Sequence, residues 1–265
     1  MSALPELGIE GVGVWSSAWP DWAAARMALA QNVEIAANST GRPGAPLLPP
    51  GERRRAPESV LLAVEAAQQA CAMAQRAERE MSQVFASAYG DLAINDYLCA
   101  TLARVPDEVS PTKFHNSVHN AAAGYWTIAT GCMQPSSAVS AGAATFGAGL
   151  LEAATLAHAE SGAVLFVTYD VAASGPLREV IDCREPFAVA FVLAPWSSRA
   201  IARVRLRTEG ARVALASSAM LLHASGDGNP ARNSVPLLAA LARRANDTLP
   251  VAAGPELHLL LEISF

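Results

Sequence analysis

The sequence predicts an α/β fold, a largely parallel sheet of buried strands covered by helices on both faces. Two observations predict it. Short continuous apolar runs such as "SSAVSAG" (136–142) and "GAVLFVTYD" (162–170) alternate with longer stretches of helical period. In addition, 52% of the 265 residues are hydrophobic and only 16% are charged, which calls for large buried surfaces in one substantial domain or at a partner interface.

Each element has a local reason. "LGIEGVGVW" (7–15) is β-rich and glycine-punctuated and reads as the first strand, and "PDWAAARMALA" as a short helix opened by Pro20 and Asp21. Residues 38–57, "NSTGRPGAPLLPPGERRRAP", are dense in Pro and Gly and read as loop. The longest helix is expected over 58–80, with Ser59 as a cap and Leu61, Val64, Ala67 and Cys71 in a period near 3.6. "SQVFASAYG" (82–90) reads as a strand and "DLAINDYLCATLARV" as the next helix. "NSVHNAAAGYWTIATG" (116–131) reads as a helix capped by Asn116 or Ser117 and stopped at Gly131. "TFGAGLLEAATLAHAES" follows the buried strand "SSAVSAG" as a helix. "PFAVAFVLAP" and "AIARVRLRTEG" look hairpin-like, with a helix at about 232–246 and a last strand "ELHLLLEIS" after them.

Composition excludes some functions. The net charge of −5 weighs against nucleic acid; the basic run Arg53–Arg55 reads as a solvated helix start, with an acidic partner as the alternative. No stretch has the continuous apolar length of a membrane span, and the first fifteen residues lack the pattern of a signal peptide, so a cytoplasmic location is expected. Cys71, Cys99, Cys132 and Cys183 lie far apart and read as reduced, mostly buried thiols. "AVSAG" approaches G-x-S-x-G, but Ser140 falls within the expected strand. His115 and His119 have zinc-like spacing but no third ligand, and neither a metal nor a cofactor is expected. "GAATFGAG" lacks the GK[ST] of a phosphate loop, and close helix-on-strand packing accounts for its glycines. Asp170 stands past a strand end, where α/β ligand sites gather, or simply ends a turn.

Several stretches together resemble the β-ketoacyl synthases of the thiolase fold: "LLPPGERRRAPESVLLAVEAAQQA", "FHNSVHNAAAGYWTIATG" and "SSAVSAGAATFGAGLLEAATLAHAESGAVLFVTYD". "ASAYGDLAINDYL", "SPTKFHNSVHNAAAGYW" and "GLLEAA" look like the short ketosynthase-like proteins of aryl polyene and xanthomonadin-type pigment clusters. The resemblance implies a three-layer α/β/α arrangement, essentially one half of the duplicated ketosynthase fold. It implies a single domain over 1–265, with 5–195 as the matching core and 196–265 as extra strands and a helix, truncated relative to full ketosynthases.

The resemblance also implies a nucleophile elbow, where active members carry a cysteine. Ala143 falls at that position here, or Gly142 after a one-residue shift, and neither can form an acyl thioester. Cys132 lies at the other end of the strand. "HASGDGNPARN" (223–233) has some likeness to the family's first His motif, but His223 comes early and no second motif follows.

The implied function is a catalytically silent, chain-length-factor-like subunit. It would pair with an active ketosynthase through the strand near 135–141 and the helix near 116–130, and would meet an acyl carrier protein; a homodimer is an alternative. Phe114, His115 and Phe146 would line or end the acyl tunnel. His119, Asn120, Trp126, Val139, Ala143 and Thr145 would belong to the tunnel or the partner interface, with Tyr125 and Trp126 as apolar anchors. Two other readings stay open: a condensing or acyl-transferring enzyme with unusual residues, and a stand-alone binder of acyl carriers or polyene intermediates.

Overall fold

Two apolar clusters, one on each face of the central strands, organise the molecule. The computed structural model describes residues 6–31, 41–209 and 228–265. In chain order its elements are β1 (Leu7–Ser16), α1 (Trp22–Gln31), α2 (Pro50–Arg55), α3 (Glu58–Ala74), β2 (Ser82–Ala86), α4 (Leu92–Arg104), α5 (Pro111–His115), α6 (Ala121–Thr130), β3 (Ser136–Val139), α7 (Thr145–Glu160), β4 (Val164–Asp170), β5 (Phe187–Pro195), β6 (Ala202–Glu209), α8 (Val235–Arg243), β7 (Asp247–Ala252) and β8 (His258–Ser264).

Among the described residues the strands form one eight-stranded sheet in the order β3-β2-β4-β5-β1-β6-β8-β7. Alternate residues of β4 serve opposite faces. Val164 and Phe166 join a cluster with α7, α8 and Ala25 of α1. Leu165, Val167 and Tyr169 join a cluster with α3 and with Ala122, Ala123 and Trp126 of α6. The result is the three-layer α/β/α arrangement of the thiolase type.

The pairing differs from the sequence reading. Only β2–β3 and β2–β4 are parallel; β4–β5, β5–β1, β1–β6, β6–β8 and β8–β7 are antiparallel. Continuous apolar runs reported burial on two faces, which helices α3 and α7 impose whatever the strand direction. β5 and β6 do not form a hairpin either, because β1 lies between them. β1 pairs with β6 only over Leu7–Ile9 and then bulges at Glu10. Beyond the bulge, the amides of Val12 and Val14 donate to Met73 Sδ at 3.3 Å and Gln69 Oε1 at 3.1 Å, both from α3. Glu10 itself is buried and makes a bidentate pair with Arg76. Burial works against its charge, but the Arg76 pair holds its carboxyl below the usual range.

Local differences also have physical causes. α2 forms inside the expected loop, with Pro50 at its first turn and Arg53–Arg55 at its last, where cations suit the helix dipole. Arg53–Arg55 therefore close a helix rather than open one. Ser59 does not cap α3; its hydroxyl donates to Asp91 Oδ2 at 2.9 Å. Asp91 also accepts from Ile94 N through Oδ1, so one carboxylate ties the N-termini of α3 and α4 together. α6 starts at Ala121 rather than 116 because side-chain bonds divert the preceding residues: Asn116 donates to Arg55 O and accepts from Tyr125 Oη. Cys71, Cys132 and Cys183 are buried and Cys99 is exposed, and burial pushes the Cys71 thiol up to about 12.

Asp91→Ala is expected to lower stability by about 1–3 kcal/mol, since it removes one cap and leaves a second helix N-terminus and a hydroxyl unpaired. Urea unfolding followed by circular dichroism measures this, with Asp91→Asn recovering part of the loss.

Candidate functional site

The C-terminal ends of the three parallel strands β2, β3 and β4 converge on a polar junction. β3 leads through Ser140 and Ala141 into a tight turn at Gly142–Ala144 and then into α7. Gly142 has φ +56°, a conformation that suits glycine, and the turn is pinned by Thr145. Thr145 Oγ1 donates to Gly142 O at 2.7 Å and accepts from Ala141 N at 3.0 Å. α7 lies close on the sheet because a Cβ at Gly149 would meet the Phe166 ring at 2.6 Å, and one at Gly147 would collide with the Ala252 carbonyl. The glycines of "GAATFGAG" are thus packing residues.

The tip of this turn carries no nucleophilic side chain. Gly142 and Ala143 are both exposed at its tip. The Ala143 carbonyl accepts from Asn233 Nδ2 at 2.7 Å, which docks the segment 230–234 onto the turn. Ser140 is exposed after the strand, not buried within it, and its hydroxyl donates to Ala88 O at 3.2 Å. Cys132 is buried, bonded to Gln83 and to Met81 O, ahead of β3. His223 lies outside the described residues.

Asp170 is the buried centre of the junction. It accepts from Ser87 Oγ at 2.8 Å, Tyr89 N at 3.0 Å and Ala88 N at 3.2 Å. Asn229 Nδ2 donates to its carbonyl at 3.0 Å and to Glu185 O at 2.8 Å. Burial pushes the Asp170 carboxyl up to about 7, against the pull of the three bonds it accepts. The sequence places Asp170 at a strand end but gives no role to Ser87, Asn229 and Asn233, which complete the junction, although they fall within the quoted stretches "ASAYGDLAINDYL" and "HASGDGNPARN".

The other expected site residues separate into groups. His119 Nε2 lies 2.8 Å from Ser87 O, an acceptor only, so this nitrogen carries the proton. His115 is turned elsewhere, so the two histidines do not share a metal site, and among the described residues no three His, Cys, Asp or Glu side chains cluster. His115 and Asn120 line a cavity of about 680 Å³ between α2, α5 and α6, together with Val118, Tyr125 and Ile128. Phe114 is 65% exposed and does not line it; Phe146 is buried on the opposite side of the sheet, 5.9 Å from Phe166. Neither phenylalanine borders that cavity. Trp126 is a core residue, fully buried beside Phe85, rather than an interface anchor.

What lies exposed instead is β3 and its surroundings. β3 is the edge of the sheet, and the carbonyls of Pro135 and Val139 face β2, so the backbone groups of Ser136 and Ala138 face outward. Val139 is half-buried against the core, while Ala138 is exposed. Ile128 is 83% and Met133 93% exposed, with Val118 and Phe114 also open. Tyr125 and Trp126 are the anchors expected for this face, but Trp126 serves the core and Ile128 and Met133 are the residues turned outward.

The sheet thus has an open edge strand, β3, that runs through a tight turn into the N-terminus of α7. The family model described as the N-terminal domain of β-ketoacyl synthase matches residues 19–251, and the chain belongs to that family. Among curated proteins, none matches the chain. Among solved structures, it is similar at 24% identity to a chain of the ketosynthase ApeO in complex with its chain length factor ApeC from Xenorhabdus doucetiae, covering 97% of this chain and 98% of that one with a TM-score of 0.72. It is similar at 14% identity to a chain of the ishigamide ketosynthase/chain length factor, covering 98% and 99% with a TM-score of 0.72. It is similar at 11% identity to a chain of AntDE:AntF, a type II polyketide synthase acyl carrier protein in complex with its ketosynthase bound to the hexaketide, covering 98% and 99% with a TM-score of 0.75. These similarities show a shared fold.

The Asp170 environment sets a pH dependence. Its carboxyl titrates near 3.9 when unfolded and about 7 when folded, so between these values the folded state holds a proton that the unfolded state does not. This contribution therefore makes stability fall as pH rises from about 4 to about 7, and it is flat above, with a total of the order of a few kcal/mol. Comparing urea unfolding of the wild type and Asp170→Asn across that window is expected to show the slope only in the wild type.

Proposed function

We propose that this chain is a catalytically silent, chain-length-factor-like subunit that pairs with an active β-ketoacyl synthase in polyketide-type assembly of the aryl polyene kind. The observation that carries the reading is the intact elbow whose exposed tip, Gly142–Ala143, offers no attacking atom, standing beside an open, uncharged edge strand. An acyl-transfer cycle begins with a side-chain nucleophile, and aliphatic side chains supply none.

The edge supports the pairing. Outward-facing backbone groups of Ser136 and Ala138 are a template for a second strand. Ile128, Met133, Val118 and Phe114 add exposed apolar surface close in sequence to that strand, of the sort that marks a protein interface. In this reading the contact runs through 135–141 and 116–130, with Ile128 and the intervening Met133 as exposed apolar anchors. The cavity lined by His115, Val118, Asn120, Tyr125 and Ile128 is of a size that holds an apolar chain, and in this reading it forms part of the acyl tunnel wall. The acyl carrier protein that delivers the chain is the second partner. No helix among the described residues is long and apolar enough to cross a membrane.

A stand-alone acyl or polyene binder is the second reading, favoured by that same cavity. Association separates the two. Light scattering is expected to give a complex with the active synthase, and Ala138→Asp combined with Ile128→Glu is expected to abolish it, leaving unfolding within about 0.5 kcal/mol of wild type because both sites are exposed. A clean monomer that neither pairs with the synthase nor self-associates, yet binds acyl carrier unaided, favours the binder.

The purified chain is also expected to gain no acyl mass after incubation with acyl carrier protein. Ala143→Cys is expected to leave condensation absent, since a thiol without its base and oxyanion donors does not complete the cycle. Turnover by the wild-type chain, free of synthase, overturns the silent assignment.

A further inference from the structure

The turn Ser87–Gly90 hangs on one buried carboxylate. Three of its groups, Ser87 Oγ, Ala88 N and Tyr89 N, donate to Asp170, and Ser87 Oγ in turn accepts from Gly90 N at 2.9 Å. The outer side of the same turn holds two neighbours. The Ser87 carbonyl accepts from His119, just before α6, and the Ala88 carbonyl accepts from Ser140, between β3 and the elbow. One side chain therefore braces, through a single turn, the entry to α6 and the exit of β3.

We propose that Asp170 is a proton switch: ionised, it holds the Ser87–Gly90 turn closed, and protonated, it releases that turn together with the His119 and Ser140 contacts that brace α6 and β3. The chemistry is direct. Three donors point at the carboxylate, and bonds to an ionised acceptor are roughly twice as strong as neutral ones, so a proton weakens all three. A proton on Oδ1, which accepts from both Ser87 Oγ and Tyr89 N, also displaces one of them. Burial opposes the charge while the three bonds favour it, so the two forms are closely balanced.

The surrounding groups leave Asp170 as the acid that titrates at the centre. The titratable groups that feel its charge are Tyr89 on the turn and Tyr169 on its own strand; the Cys183 thiol acts on Tyr89 and Asp91 on Tyr169. Burial and the Asp170 charge push both tyrosines up, so they stay neutral below about pH 8. Asp91 is committed to Ser59 and Ile94, and Cys183 donates to Val171 O. From the segment 230–234, Arg232 lies over the ring of Phe187, the residue paired with Asp170 across β4 and β5, and Asn229 binds the Asp170 carbonyl. His119 is the remaining basic group at the junction, reached only through Ser87 O.

The switch predicts opposite signs for local and global behaviour. Acidification from pH 8 to pH 5.5 protonates Asp170, which loosens the turn while the fold as a whole becomes no less stable through this group. Amide hydrogen exchange on the full chain, corrected for intrinsic rates, reads the first, and urea unfolding reads the second. We expect protection at Ala88, Tyr89 and Gly90 to fall about tenfold as Asp170 gains its proton, a linkage of about one pH unit, while amides of β4 and β5 keep theirs. Asp170→Asn is expected to show low, pH-independent protection. Ser87→Ala, which keeps the carboxyl and deletes one bond to its charged form, is expected to move the midpoint to higher pH, and it carries the test if Asp170→Asn does not fold. His119→Gln is expected to retain the response, and its loss there would assign the switch to the imidazole and overturn the proposal. Equal protection of the turn at both pH values in the wild type would also overturn it, as would a carboxyl resonance of Asp170 that does not titrate across that range.

Discussion

Helix α7 can lie on the sheet only because Gly147 and Gly149 carry no side chain, and the site depends on that contact. The helix meets Phe166 and the Ala252 carbonyl at backbone distance. Its N-terminus is thereby fixed at the end of β3, with room for nothing longer than the Gly142–Ala144 turn between them. Thr145 fastens this turn from inside and Asn233 from outside. The turn carries only small aliphatic residues at its exposed tip. A buried carboxylate, Asp170, and the loop it holds then link this turn to the start of α6.

The same packing leaves β3 at the margin. Strands β4 and β5 are buried on both faces and paired on both sides, and β1, paired with β6 only over Leu7–Ile9, turns the amides of Val12 and Val14 to side chains of α3. The opposite margin is managed differently: β7 carries Pro250, which has no amide to offer a further strand. β3 has no such device, and its apolar neighbours Ile128 and Met133 are turned to solvent. One edge is blunted and the other is open, which is the asymmetry expected of a chain that joins a partner on one side only.

Much of this was legible in the sequence. The apolar runs of β1, β2 and β4 and the periodic stretches of α3, α4 and α7 gave those elements near their observed bounds, because two-sided burial and helical period are local signals. Pairing was not legible: the sheet reads as largely parallel, yet most of its pairs are antiparallel, and β5 and β6 look hairpin-like although β1 lies between them. β7 was missed because Pro250 argues against a strand except at an edge. At the site, the quoted motifs located the elbow and Ala143. They could not separate Trp126, which fills the core, from Ile128 two residues on, which faces outward. The resemblance implies a tunnel role for Phe114 and Phe146; in the chain Phe114 lies at the surface and Phe146 in the core beneath α7. Ser87, Asn229 and Asn233 act through side-chain hydrogen bonds to residues far along the chain, which no local pattern reveals.

The central claim is that β3 is completed by a strand of an active ketosynthase. Hydrogen exchange at the Ser136 and Ala138 amides, measured with and without that synthase, tests it most directly. The account predicts that both outward-facing amides exchange freely in the isolated chain and become strongly protected in the complex. A complex that forms while these two amides continue to exchange at the isolated rate would contradict it.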